Sequence, residues 1–249
     1  MNWRLTEQSL CQIAGITPEL ECKLMRSGVT SVMQLGLRCG EMFPISRAER
    51  IRTSIARYVK FRDLGMTDGI VNAFPCGHRV RVLSDRFERA CFLDIETDER
   101  MRITCISTQM DHQSATFLRG QNLDDFLDVW QQTELVVSFN GKRFDVPIIL
   151  RTFGLTRTPA QIDLMDEARH YGLTGGLKQI EKEIGFQRDG SAGMNGMDAV
   201  ALWHRFEHSG DEDALEVLKR YNREDVESLV VLYKWLLHMS LENRLIFDS

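Results

Sequence analysis

The chain has 249 residues, 43% of them hydrophobic, and a formal net charge of −5. That content suits one large domain with its own core, or one domain plus a small module. No apolar run approaches the ~18 residues of a membrane span, and the polar start MNWRLTEQSLCQ, with Glu7, does not read as a secretory signal, so we expect a cytoplasmic protein without a membrane partner.

The charge is unevenly spread. Residues 1–90 carry 14 Lys+Arg against 9 Asp+Glu, whereas residues 91–249 carry 17 against 27. The densest basic stretch is 47-RAERIRTSIARYVKFR-62. An acidic body with a basic front end suits cations in one part and phosphates in the other; an ordinary solvated helix face would look the same. Six cysteines, at 11, 22, 39, 76, 91 and 105, form no CxxC pair and read as reduced and structural.

In chain order, residues 1–65 read as a small all-helical module. The apolar positions Leu10, Ile13, Leu20, Leu24, Val29, Val32 and Leu35 recur at helical spacing. Gly15 to Pro18 interrupts the first run, Thr17 and Pro18 suit the start of a new helix, and Gly28 ends it. Residues 66–90 read as a connector. From 91 the pattern becomes α/β: strands at 91–97, 103–109 and 115–119, a helix at 122–132, and a buried strand at 135–139. Helices follow at 145–153, 164–171, 176–184, 197–208 and 212–238, with a glycine-rich loop at 185–196. The expectation is a mixed sheet flanked by helices over 91–249.

Three acidic places stand out. In 91-CFLDIETDER-100, Asp94 and Glu96 leave the same face of a strand, roughly 6–7 Å apart at Cα. Such a pair either points into water or calls for a cation. In 139-FNGKRFDVPII-149, Asp145 sits where a strand gives way to a helix, and the simplest duty for it alone is a helix cap. In 218-LKRYNREDVESLVVLYKWL-236, Leu218, Tyr221, Asp225, Leu229, Leu232 and Leu236 form one helical stripe. A carboxylate in a core-facing stripe is costly unless it is paired or holds a metal.

FLDIET, NGKRFD and YNRED together resemble the three exonuclease motifs of the DEDD superfamily, whose fold is ribonuclease-H-like. Tyr221 and Asp225 match the Tyr form of the third motif; the His form would need an imidazole where Arg220 stands. The branch most similar is the YprB-like group of predicted exonucleases, and the resemblance covers about 75–249. It implies a 3′→5′ exonuclease acting on DNA or RNA, with a single-stranded 3′ end as partner. It also implies two Mg²⁺ or Mn²⁺ ions held by Asp94, Glu96, Asp145 and Asp225, with Tyr221 orienting the attacking water. Oxygen-only ligands suit those hard cations and not zinc. The alternatives are a structure-selective endonuclease on the same fold and a catalytically silent nucleic-acid-binding or scaffolding protein.

Asn140, Lys142, Arg143, Lys178 and Arg188 are candidate substrate contacts; the bland counterpart is a loop-holding role for Asn140 and ordinary exposed surface for Lys142 and Arg143. Asp163 and Asp198 read as helix caps, and His204 with His208 as a surface pair. The N-terminal module resembles a helix-hairpin-helix, which implies contact with a nucleic-acid backbone or docking of a protein partner.

Overall fold

The computed structural model describes residues 5–191 and 193–245. Residues 1–4, 192 and 246–249, which fall inside the segments assigned above, lie outside the described residues. The chain divides into two compact units. One runs to Arg86 and takes in the chain from Leu236 onward; the other is Phe87–Trp235.

The first unit is helical. α1 (Pro18–Arg26) starts where Thr17 accepts from the Leu20 amide at 3.2 Å, with Pro18 in its first turn. α2 (Val32–Met42) is capped in the same way by Ser31. α3 (Ile45–Asp63) carries the basic stretch, and α4 (Thr67–Ala73) and α5 (Val80–Arg86) occupy the segment 66–90. Leu10, Ile13, Leu24, Val29, Val32 and Leu35 are buried as their spacing predicts.

The segment before Gly15 departs from expectation. It forms turns, closed by Ser9 N to Thr6 O, Ile13 N to Leu10 O and Ile16 N to Ile13 O. Side chains take the amides that a helix would have used. Asp85 accepts from Leu5 and Thr6 at 2.9 Å each, and Glu21 accepts from Leu10 and Cys11. Glu21 in turn meets Arg81 at 2.7 Å, with both side chains 1% exposed. Arg81 Nε donates to Ser240 Oγ at 2.8 Å, and His78 Nδ1 lies 2.9 Å from the same oxygen. A buried ion pair is tolerable here because each nitrogen of the guanidinium and each oxygen of the carboxylate has a hydrogen-bond partner.

The second unit is the mixed α/β arrangement the sequence predicts. β1 (Ala90–Thr97), β2 (Ile103–Met110), β3 (Gln113–Leu118), β4 (Leu135–Ser138) and β5 (Ala160–Asp163) form one sheet in the order β3-β2-β1-β4-β5. The β1–β2 and β2–β3 pairs are antiparallel; β1–β4 and β4–β5 are parallel. Six helices accompany the sheet: α6 (Phe126–Gln132), α7 (Asp145–Phe153), α8 (Leu164–His170), α9 (Leu177–Ile184), α10 (Gly196–Ser209) and α11 (Glu212–Leu245). α11 runs beyond the expected 238 and enters the first unit at Leu236.

Strand alternation sorts the two faces of β1. Cys91, Leu93 and Ile95 join Phe126, Trp130, Val146 and Ile149 in one core. Each fully buried side chain of this size stabilises the fold by roughly 1.5–3 kcal/mol. The other face of the sheet packs Cys105 and Leu118 against Trp203, Leu215, Leu218 and Tyr221 of α10 and α11. Asp94 and Glu96 are in register with Ser107 and Cys105, so they stand on this second face.

Candidate functional site

Side chains of β1 and α11 meet here, and that meeting assembles the acids. Carboxylate oxygens of Asp94, Glu96 and Asp225 all lie within 4.8 Å of one another, the one such acidic cluster among the described residues. The pairing of β1 with β2 slips between Glu96 and Thr97, a bulge at the strand end beside the cluster. Asp225 and Tyr221 are one helical turn apart on α11, so both face the same space. A cavity of about 330 Å³ is lined by Asp94, Glu96, Asn140, Phe144, Asp145, Lys178, Tyr221 and Asp225.

Asp145 reaches this cavity in a different way from the other three acids. Phe144 occupies the cap position of α7, and the Asp145 carboxylate accepts from the Ile95 amide on β1 at 3.2 Å. The cap reading therefore gives way to a buried acid aimed at the sheet. The turn ahead of it is tight: a Cβ added at Gly141 would come within 2.1 Å of Ser138 Oγ and 3.2 Å of Asp145 Oδ2. Asn140 holds φ at +62°, and its amide donates to Asp163 at 2.8 Å. Asp163 also caps α8 through the Met165 amide, so it fastens the turn while doing the cap duty expected of it.

The electrostatics are those of unshared negative charge. Burial, then Asp225 and Asp145, push Asp94 well above the usual carboxylate range. Glu96 is raised to about 8, by burial first and by Asp225 second. Burial raises Asp145 to about 7, against the lowering pull of the Ile95 amide. Asp225 is raised by burial while Arg188 pulls it down. Four neighbouring acids, each raised first by burial, make a place where a cation would be strongly favoured.

Two basic side chains already stand there. Arg188 donates to Asp225 Oδ1, and its fork holds Glu181 through Nε to Oε2 at 2.9 Å and through a second nitrogen to Oε1. Its side chain is 5% exposed, so it is built into the site and not offered to solvent. Ser191, on the same loop, donates to Glu224 on α11. Lys178 Nζ donates to the Tyr221 hydroxyl at 2.6 Å and to the Met194 carbonyl. Burial, then Asp225, keeps the Tyr221 phenol well above its ordinary value.

Lys142 and Arg143 take no part in the cavity wall. Arg143 is exposed and meets Asp166 at 3.2 Å and Asp163 at 3.8 Å. His204 and His208 stack on the exposed face of α10, and Asp198 completes the capping box of that helix with Asn195.

Sequence reasoning passed over Asn222, Glu181 and Glu224. Asn222 is fully buried and donates to Asp94 Oδ2 at 2.7 Å. The available signal was its position: an amide between Tyr221 and Asp225, three residues from the acid on a buried helix. Glu181 had no such signal, because its partner Arg188 comes from a loop whose path no periodicity foretells.

Compared with family models, residues 91–237 match that of the RNase H superfamily. Among solved structures, the family B DNA polymerase from the hyperthermophilic archaeon Pyrobaculum calidifontis is similar, at 17% identity and a TM-score of 0.47. The similarity covers 59% of this chain and 24% of the polymerase chain, about a quarter of its length. No curated protein sequence matches the chain.

Proposed function

Because the chain belongs to the RNase H superfamily, we propose that it is a metal-dependent nuclease acting as a 3′→5′ exonuclease of the DEDD Tyr type, within the YprB-like branch. The observation that carries this reading is the meeting of Asp94, Glu96 and Asp225 oxygens within 4.8 Å beside Tyr221. Under this reading residues 91–249 are the nuclease domain. Residues 1–65 are a module that touches nucleic acid or a protein, joined to it by 66–90.

The residues fit divalent cations. Three carboxylates in reach of one point offer only oxygen, the donor set for Mg²⁺ or Mn²⁺. Asp225 gives Oδ1 to Arg188 and keeps Oδ2 for an ion. Asp145, which lines the same cavity, would help hold a second. When bound, such ions lower the pKa of an attacking water and stabilise charge gathering on phosphorus.

The chain's own groups then orient the reaction. The high phenol pKa keeps Tyr221 protonated at neutral pH, so it donates a hydrogen bond and does not act as base. Lys178 donates to that oxygen, so the phenolic proton is not used in this bond. Phe144 and Ile95 add an apolar part to the cavity lining beside Asp145 and Glu96.

The test is a panel of 3′- and 5′-labelled single- and double-stranded DNA and RNA, plus a circular single strand, with Mg²⁺, Mn²⁺ or chelator. We expect shortening from the 3′ end with either metal and none with chelator. Asp94→Asn should abolish cleavage, whereas Tyr221→Phe should slow it while Mn²⁺ still binds. Cutting of the circle would replace the exonuclease with the endonuclease reading. Full activity in Asp94→Asn would move the active centre elsewhere.

A further inference from the structure

We infer that Asn222 is the positioning residue for Asp94: its side-chain amide fixes which carboxylate oxygen faces the cation. This rests on the metal-site reading above and extends it to a residue outside the four acids.

The geometry is a relay of three side chains across β2, α11 and β1. The Cys105 thiol lies 3.3 Å from Asn222 Oδ1, and Asn222 Nδ2 donates to Asp94 Oδ2 at 2.7 Å. Cys105 is in register with Glu96, the other acid of β1, so the relay begins directly beside the cluster. Asn222 is fully buried, and so is Cys105. A buried amide is costly unless both its ends are bonded, and here both are. A leucine would fill the same space beside Leu218 without that cost. The amide therefore earns its place through what it holds.

What it holds is the orientation of Asp94. The carboxylate can turn about its terminal torsion, which is broad and roughly two-fold. With Oδ2 tied to Asn222, that rotation stops, and Oδ1 is left to the cluster. The tie also works by hydrogen bonding to the charged form, which opposes the repulsion from Asp225 and Asp145. Asn222 differs in one useful way from the other polar partners of the acids. Lys178 and Arg188 carry charge, so removing either changes both orientation and field. Asn222 is neutral, so its removal leaves the formal charge of the site unchanged.

Partners of ligating groups typically change metal affinity by about 10–100-fold when lost. The experiment is calorimetric titration of the full chain with Mn²⁺, comparing wild type, Asn222→Leu and Asn222→Ala. Circular dichroism and the melting temperature of the chelator-treated protein report the fold. We expect Mn²⁺ affinity to fall about 10–100-fold in the folded variants. Cys105→Ser, which keeps a donor to the amide oxygen, should hold affinity near wild type. The Mn²⁺ concentration for half-maximal cleavage should rise in parallel, with kcat recovering at saturating Mn²⁺; a general packing defect would leave kcat low. Wild-type affinity in either folded Asn222 variant overturns the inference and leaves the nuclease reading intact. Absence of Mn²⁺ binding in the wild type overturns that reading, and this inference with it.

Discussion

Asp145 heads α7 without capping it, and that one residue separates the two ways a carboxylate can be used at a helix start. A capping oxygen satisfies its own helix; the Asp145 oxygen crosses to the Ile95 amide and stays in the cavity. The consequence at residue scale is a pH dependence. Glu96 and Asp145 hold protons up to about 8 and about 7 in the folded protein, against ordinary values of 4.5 and 3.8. Between those limits the folded form binds more protons than the unfolded chain, so stability falls as pH rises. We expect chelator-treated protein to melt at its highest temperature near pH 5 and at its lowest near pH 8. Added Mn²⁺ should stabilise most at pH 8, and Glu96→Gln should flatten the slope. Melting scans across that range check this; a rising profile would contradict it. Asp94, Glu96, Asp145, Tyr221 and Asp225 were legible because each sat in a motif or broke an apolar stripe. Asn222 was not, since a lone amide carries no charge to look out of place.

Elements defined by their own repeat pattern were easy to foresee, and those defined by distant partners were not. α7, α9 and α10 fall within a residue or so of their expected bounds because periodicity and caps are local properties. The segment before Gly15 shows the opposite case. Its apolar spacing is helical, yet Asp85 and Glu21 capture its amides, and neither is a sequence neighbour. The loop 185–196 is similar: Arg188 and Ser191 fasten to Asp225, Glu181 and Glu224. The buried pair of Glu21 and Arg81 gives a prediction at this scale. Glu21→Gln keeps an oxygen for the Leu10 and Cys11 amides but leaves Arg81 as an uncompensated buried charge. Stability should drop by about 3–5 kcal/mol, read as a lowered urea midpoint. A loss under 1 kcal/mol would mean that the carboxylate is not the counter-charge of the guanidinium.

For the whole molecule, the uneven charge seen in the sequence has a structural reading in each unit. In the first, Arg50, Arg52, Arg57 and Lys60 are exposed along α3. In the second, the acids gather on one face of a sheet whose other face is hydrocarbon. Among the described residues no helix is long and apolar enough to cross a membrane. The superfamily fold fits the sheet order, and the acidic cluster joins side chains of β1 and α11. The most direct test is anomalous diffraction from crystals grown with Mn²⁺. The account predicts a manganese peak in contact with oxygens of Asp94, Glu96 and Asp225, with Arg188 still on the far oxygen of Asp225. A map without manganese among those three carboxylates, leaving Arg188 and Lys178 as their counter-charges, would contradict it.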